Sequence, residues 1–152
     1  MTMMQRLPRL LLIEDSPARI EQFRQWVPES MVLVTVTSAG RAIGILQRSD
    51  PFDYAGIMLD HDLQQQIANP GELALSGMDV VNTLVTRISY EIPVLLHSIS
   101  PAGVASMRRK LEAASFDVTA IPMTQLVHAQ FKLWLSDVLE LWNIREEIAR
   151  EK

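Results

Sequence analysis

The chain has 152 residues, 48% of them hydrophobic, which is enough to expect a single domain over 1–152 with a substantial core. Its 14 basic and 18 acidic residues give a formal charge of -4, so no positive excess draws it to a phosphate backbone, and direct nucleic-acid binding is not expected. The absence of cysteine excludes disulfides and thiolate metal sites, and with no apolar run near roughly 20 residues and no leader-like pattern in MTMMQRLPRLLLIED, a cytoplasmic protein without a membrane span is expected.

Arg9 to Ile13 is a short apolar run that stops at Glu14 and Asp15, and it reads as a buried strand. Ser16 supplies a helix N-cap, Pro17 suits the first helical position, and Ile20, Phe23 and Val27 recur at helical spacing. Met31 to Val36 predicts a second strand, and Ser38 caps a second helix with Ala42, Ile43 and Leu46 inward. Tyr54 to Leu59 is a third strand ending in Asp60, His61 and Asp62. The segment Gln64 to Leu75, with three glutamines, Asn69, Pro70 and Gly71, predicts a loop that either lids the strand ends or is a plain surface excursion. Gly77 opens a third helix to about Ser89, with Met78, Val81, Leu84 and Val85 as its apolar stripe. Ile92 to Leu96 is a fourth strand ending at His97 and Ser98, and Pro101 to Ala114 a helix with Val104, Met107 and Leu111 inward. Val118 to Ile121 is the fifth strand. A long last helix from about 125 carries Leu126, Val127, Phe131, Leu135, Val138, Leu141 and Trp142.

This alternation predicts an α/β fold, a doubly wound parallel sheet covered on both faces. Such sheets bind ligands beyond the carboxyl ends of their strands, where strand order reverses. A five-stranded sheet in order 2-1-3-4-5 brings Glu14, Asp15 and Asp60 into one crevice. Their mutual repulsion calls for a divalent cation, and with no thiol available the natural choice is Mg2+ or Mn2+ on oxygen ligands. Capping of the first helix by solvated acids is the plainer reading of Glu14 and Asp15 alone.

LLIEDSP, IMLDHDL, SGMDVV and IPVLLHS, in that order, resemble the motifs of response-regulator receiver domains over about Leu10 to Thr124. The resemblance implies a flavodoxin-like fold, Glu14 and Asp15 as the magnesium-holding pair, Asp60 as metal ligand and phospho-acceptor, and Ser98 as the hydroxyl that contacts a phosphoryl group. Receivers carry a lysine before the proline that ends strand five; here the dipeptide is Ile121 and Pro122. Arg108, Arg109 or Lys110 are weighed as replacements, against the simpler reading that they form a solvated helix face.

LDHDL followed by HS is similar to a variant receiver family named for cyclic-phosphate processing. In that light His61 and His97 are acid-base candidates and Asp62 a secondary one. Strand alternation, however, points His61 away from its acidic neighbours and His97 away from Ser98. His128 reads as a boundary residue. Trp134 and Trp142 widen the apolar stripe of the last helix beyond one buried face, which suggests a homodimer through that helix.

Three functions follow as expectations. The first is a receiver module binding a divalent cation and a phosphate-containing small molecule, acting as a metal-assisted cyclic phosphodiesterase. The second is a signalling receiver phosphorylated at Asp60 by a partner kinase. The third is an inert pseudo-receiver that docks to another protein.

Overall fold

The computed structural model describes residues 6–60, 63, 76–98, 101–122 and 126–151. Strands β1 (Arg9–Ile13), β2 (Val32–Val36), β3 (Gly56–Leu59), β4 (Val94–Leu96) and β5 (Val118–Ala120) alternate with helices α1 (Pro17–Trp26), α2 (Ala39–Gln47), α3 (Gly77–Arg87), α4 (Pro101–Ala113) and α5 (His128–Glu151). The strands form one parallel sheet in order β2-β1-β3-β4-β5, as the alternation predicts.

Parallel strands need crossovers, and here each crossover is a helix that covers one face. Successive strand side chains point to opposite faces, so each strand feeds two cores. Leu11, Ile13, Ile57, Leu59, Val94 and Leu96 pack under α2, α3 and α4. Leu10, Leu12, Met58 and Leu95 pack under α1 and α5, with Phe23, Phe131, Trp134 and Val138. Leu10, Leu11, Leu12 and Ile13 are fully buried, and each such side chain contributes roughly 1.5–3 kcal/mol of burial free energy. Strand β2 is one edge of the sheet, and its Val32 is 40% exposed.

Local chemistry sets the helix ends. The Ser16 hydroxyl accepts from the Arg19 N–H at 3.4 Å with Pro17 opening α1, and Ser38 does the same for Arg41 at 3.2 Å. Ser76 and Asp79 form a reciprocal capping box at α3. At the end of α4 the Phe116 N–H reaches the Leu111 carbonyl and Ser115 takes a left-handed φ of 73°, a Schellman closure made without glycine.

Helix α5 begins at His128, later than the predicted start near 125, and Val127 is 53% exposed. It precedes the helix, so the helical period that placed it inward does not reach it. Trp134 and Trp142 are each only 4% exposed and belong to the α1/α5 core. The apolar width that suggested a second subunit is therefore used inside the chain for these two residues. Strand β3 makes room for Trp134: a Cβ on Gly56 would stand 3.0 Å from Trp134 and 3.2 Å from both Leu10 and Val138. Among the described residues, no helix is long and apolar enough to cross a membrane.

Candidate functional site

The register decides which side chains meet. Ile13 pairs with Leu59, and Leu59 with Leu96, so β1, β3 and β4 end level with one another. The ladder continues one residue further: the Asp60 N–H reaches the Ile13 carbonyl at 3.0 Å and the His97 N–H reaches the Leu59 carbonyl at 3.1 Å. Glu14, Asp60 and His97 consequently stand in one row. They share the parity of Leu12, Met58 and Leu95, which places them toward α1 and α5.

Glu14, Asp15 and Asp60 each bring a carboxylate oxygen within 4.8 Å of the others, and all three residues are buried. One Glu14 oxygen, Oε2, accepts from the backbone N–H groups of Asp15 at 3.0 Å and Ser16 at 3.2 Å. The other, Oε1, is buried without a hydrogen-bond partner. Burial raises the Glu14 pKa above the usual carboxylate value, against a lowering by its hydrogen bond to Asp60, by its backbone bond at Ser16 and by the Arg19 charge.

His97 lies beneath this cluster. It is fully buried, its ring packs edge-on against Phe23 with centroids 5.0 Å apart, and Nε2 is 3.3 Å from Glu14 Oε1. Burial pulls its pKa down to about 4, with Asp60 opposing and Arg19 assisting. Near neutral pH the contact with Glu14 is therefore that of an uncharged imidazole and not an ion pair. His97 shares the parity of Leu95, and that parity directs it at Glu14. Ser98 follows it, 2% exposed, at the end of β4. His61 and Asp62, and the segment Gln64 to Leu75 read as a lid, lie outside the described residues.

The cation that reaches the carboxylates is one the sequence reading passed over. Arg19, in the first turn of α1, places Nη1 3.5 Å from Glu14 Oε1 and 3.4 Å from Asp60 Oδ2, donating a hydrogen bond to the latter. A signal was available: the positive end of the helix dipole disfavours a base in the first turn, and α1 has an arginine there with no acid to offset it. Arg108, Arg109 and Lys110 are exposed on α4, with Arg108 paired to Glu112 and Arg109 bonded to Ser106. Arg108 and Arg109 are engaged along α4 itself, as a solvated helix face would have them. Ile121 packs against the α1/α5 core.

Among the described residues, three carboxylates stand against one guanidinium. A cluster of hard oxygen donors, one of them buried without a hydrogen bond, fits a divalent cation such as Mg2+ or Mn2+.

This sheet, with its acidic residues at the ends of β1 and β3, defines a receiver domain. Residues 9–113 match the model of the cyclic-phosphate processing receiver domain, and the chain belongs to that family. Solved structures with the same fold include the signal receiver domain of a protein named as a LuxO repressor from Vibrio parahaemolyticus, at 20% identity and a TM-score of 0.65 over 93% of this chain and 96% of that one. The receiver domain of a sensor histidine kinase from Pseudomonas aeruginosa, described with a magnesium ion coordinated in its active-site cleft, is 16% identical with a TM-score of 0.61 over 88% and 98%. A response regulator receiver protein from Sinorhizobium medicae is 20% identical, with a TM-score of 0.61 over 88% and 94%. No curated protein matches the chain.

Proposed function

We propose that this receiver domain binds a divalent cation through Glu14, Asp15 and Asp60 and uses it to engage a phosphate-containing small molecule, with opening of a cyclic phosphate by water as its reaction. The observation that carries the reading is the convergence of three buried carboxylates within 4.8 Å, one oxygen of which has no hydrogen-bond partner. The family description and the magnesium-bound cleft of the similar kinase receiver domain support it. When bound, the cation would neutralise phosphate oxygens and polarise the phosphorus centre.

In this reading the chain's own groups divide the work. Glu14, Asp15 and Asp60 hold the ion, and Ser98 contacts a phosphate oxygen. His97, being buried against Glu14, acts as a positioning residue for a metal-holding carboxylate. His61 and Asp62, next to Asp60 in the chain, are the proposed acid-base and secondary groups. As part of the same proposal the chain works as one domain in the cytoplasm.

A second reading is phosphorylation of Asp60 by a partner kinase, favoured by the place of Asp60 at the end of β3. It lacks the strand-five lysine, since that position is Ile121. The deciding experiment is turnover of a panel of cyclic nucleotides and terminal cyclic phosphates with Mg2+ or Mn2+. Product formed by the parent protein and lost in Asp60→Asn and His61→Ala variants of normal fold supports hydrolysis. Failure of either cation to stabilise the protein thermally sinks both chemistries and leaves a docking module, because a ligand specific to the folded state must raise its stability.

A further inference from the structure

Among the described residues, Arg19 brings a guanidinium to the carboxylates, and its geometry is that of a loosely held partner. Its Nη1 donates to Asp60 Oδ2 at the long distance of 3.4 Å. The 3.5 Å approach to Glu14 Oε1 leaves that oxygen without a hydrogen bond. The Arg19 side chain is 28% exposed, whereas those of its acidic partners are 0% and 1% exposed, so the arginine can withdraw toward solvent and the acids cannot. Its backbone is anchored by the Ser16 cap, which keeps the guanidinium at the mouth of the crevice in either position.

We propose that Arg19 is the resident counter-ion of the crevice: it occupies the carboxylate cluster in the cation-free protein, yields Glu14 and Asp60 to a divalent cation, and then pairs with an oxygen of the bound phosphate. This rests on the cation-site reading above and deepens it. The charge logic is direct. A divalent cation carries twice the charge of the guanidinium, whose contacts with Glu14 and Asp60 are long, so it displaces Arg19 from them; a phosphate bound to the cation then offers the freed guanidinium a new anionic partner. A guanidinium suits phosphate oxygens through its forked donors. The role is the one that an ammonium at position 121 would otherwise fill, reached here from α1 and not from β5.

The test compares the full chain with its Arg19→Gln and Arg19→Lys variants, with folding checked by circular dichroism. Mn2+ affinity is measured first, without phosphate, by electron paramagnetic resonance. Inorganic phosphate is then titrated calorimetrically at saturating Mg2+. Loss of a partly exposed competing charge should tighten Mn2+ binding in Arg19→Gln about fivefold, while phosphate binding weakens by a similar factor. Arg19→Lys should restore phosphate binding. A merely structural arginine would move both affinities in the same direction, and that result, or no change in either, overturns the proposal. If Mn2+ binds all three proteins equally, the cation site stands and the role of Arg19 falls. If Mn2+ binds none, both fall.

Discussion

His97 Nε2 stands 3.3 Å from Glu14 Oε1 with both residues fully buried, so an imidazole reads the state of a proposed metal-holding carboxylate from underneath the crevice. The pair lies where the polar strand ends meet the α1/α5 core, with the Phe23 ring 5.0 Å from the imidazole. Its consequences are electrostatic and open to measurement.

The first concerns stability and pH. The His97 pKa is near 4 in the folded protein against 6.5 when unfolded, so below pH 6.5 the unfolded chain takes up a proton that the folded one refuses. Stability from this residue is complete above pH 6.5 and falls as pH drops toward 4, by roughly 3 kcal/mol in total. Glu14, with its raised pKa, works in the opposite sense, gaining its proton more readily when folded. Urea denaturation between pH 7 and 4 should therefore show a steeper acid loss in the parent than in His97→Leu, a substitution of similar volume. Identical slopes would remove His97 from the account.

The second concerns the cation and pH. Burial raises the Glu14 pKa, and an ion can bind the carboxylate only after the proton leaves. Cation affinity should rise with pH through the acid range, and binding should release protons into the buffer. Calorimetric titration of Mn2+ in buffers of different ionisation enthalpy measures that release directly. A pH-independent affinity with no proton release contradicts Glu14 as a ligand.

A third prediction separates folding from binding at Asp60. Three carboxylates within 4.8 Å repel one another, and Arg19 offsets part of that repulsion. Asp60→Asn removes one charge while keeping shape, so the cation-free protein should gain about 1 kcal/mol or stay unchanged. The thermal shift produced by Mg2+ should disappear. A variant that loses stability yet keeps its shift would show that Asp60 serves the fold and not the ion.

The fourth lies away from the site. Gly56 lets Trp134 and Val138 of α5 approach β3, with a Cβ there meeting three side chains at 3.0–3.2 Å. Gly56→Val should overpack this contact and cost about 1–3 kcal/mol, despite the better strand propensity of valine. Thermal denaturation would register it, and because Gly56 opens the strand that ends at Asp60, cation affinity should weaken along with stability. An unchanged melting temperature would mean that α5 can shift freely over the sheet.

Much of this molecule was readable from local pattern. Ser16 with Pro17, Ser38, and the apolar runs that stop at Glu14, Asp60 and His97 mark helix starts and strand ends through capping and burial, which act over a few residues. The order and type of the motifs pointed to the strand order and to the acidic cluster. The start of α5 was less legible, because Leu126 is buried and Val127 exposed before any helical turn has formed.

What the sequence determined by itself, then, was which elements exist and which residues end the strands, since periodicity and caps are local. That the ends of β1 and β3 meet was expected from the motif order, but the register that adds His97 and Arg19 to them was decided by tertiary structure. A ladder that pairs Ile13 with Leu59 and Leu59 with Leu96 puts Glu14, Asp60 and His97 on one face, whereas a slip of one residue would send a strand's side chains to the opposite face. Arg19 became visible in the same way, when α1 packed across that face and carried its guanidinium to acids that lie 5 and 41 residues away along the chain.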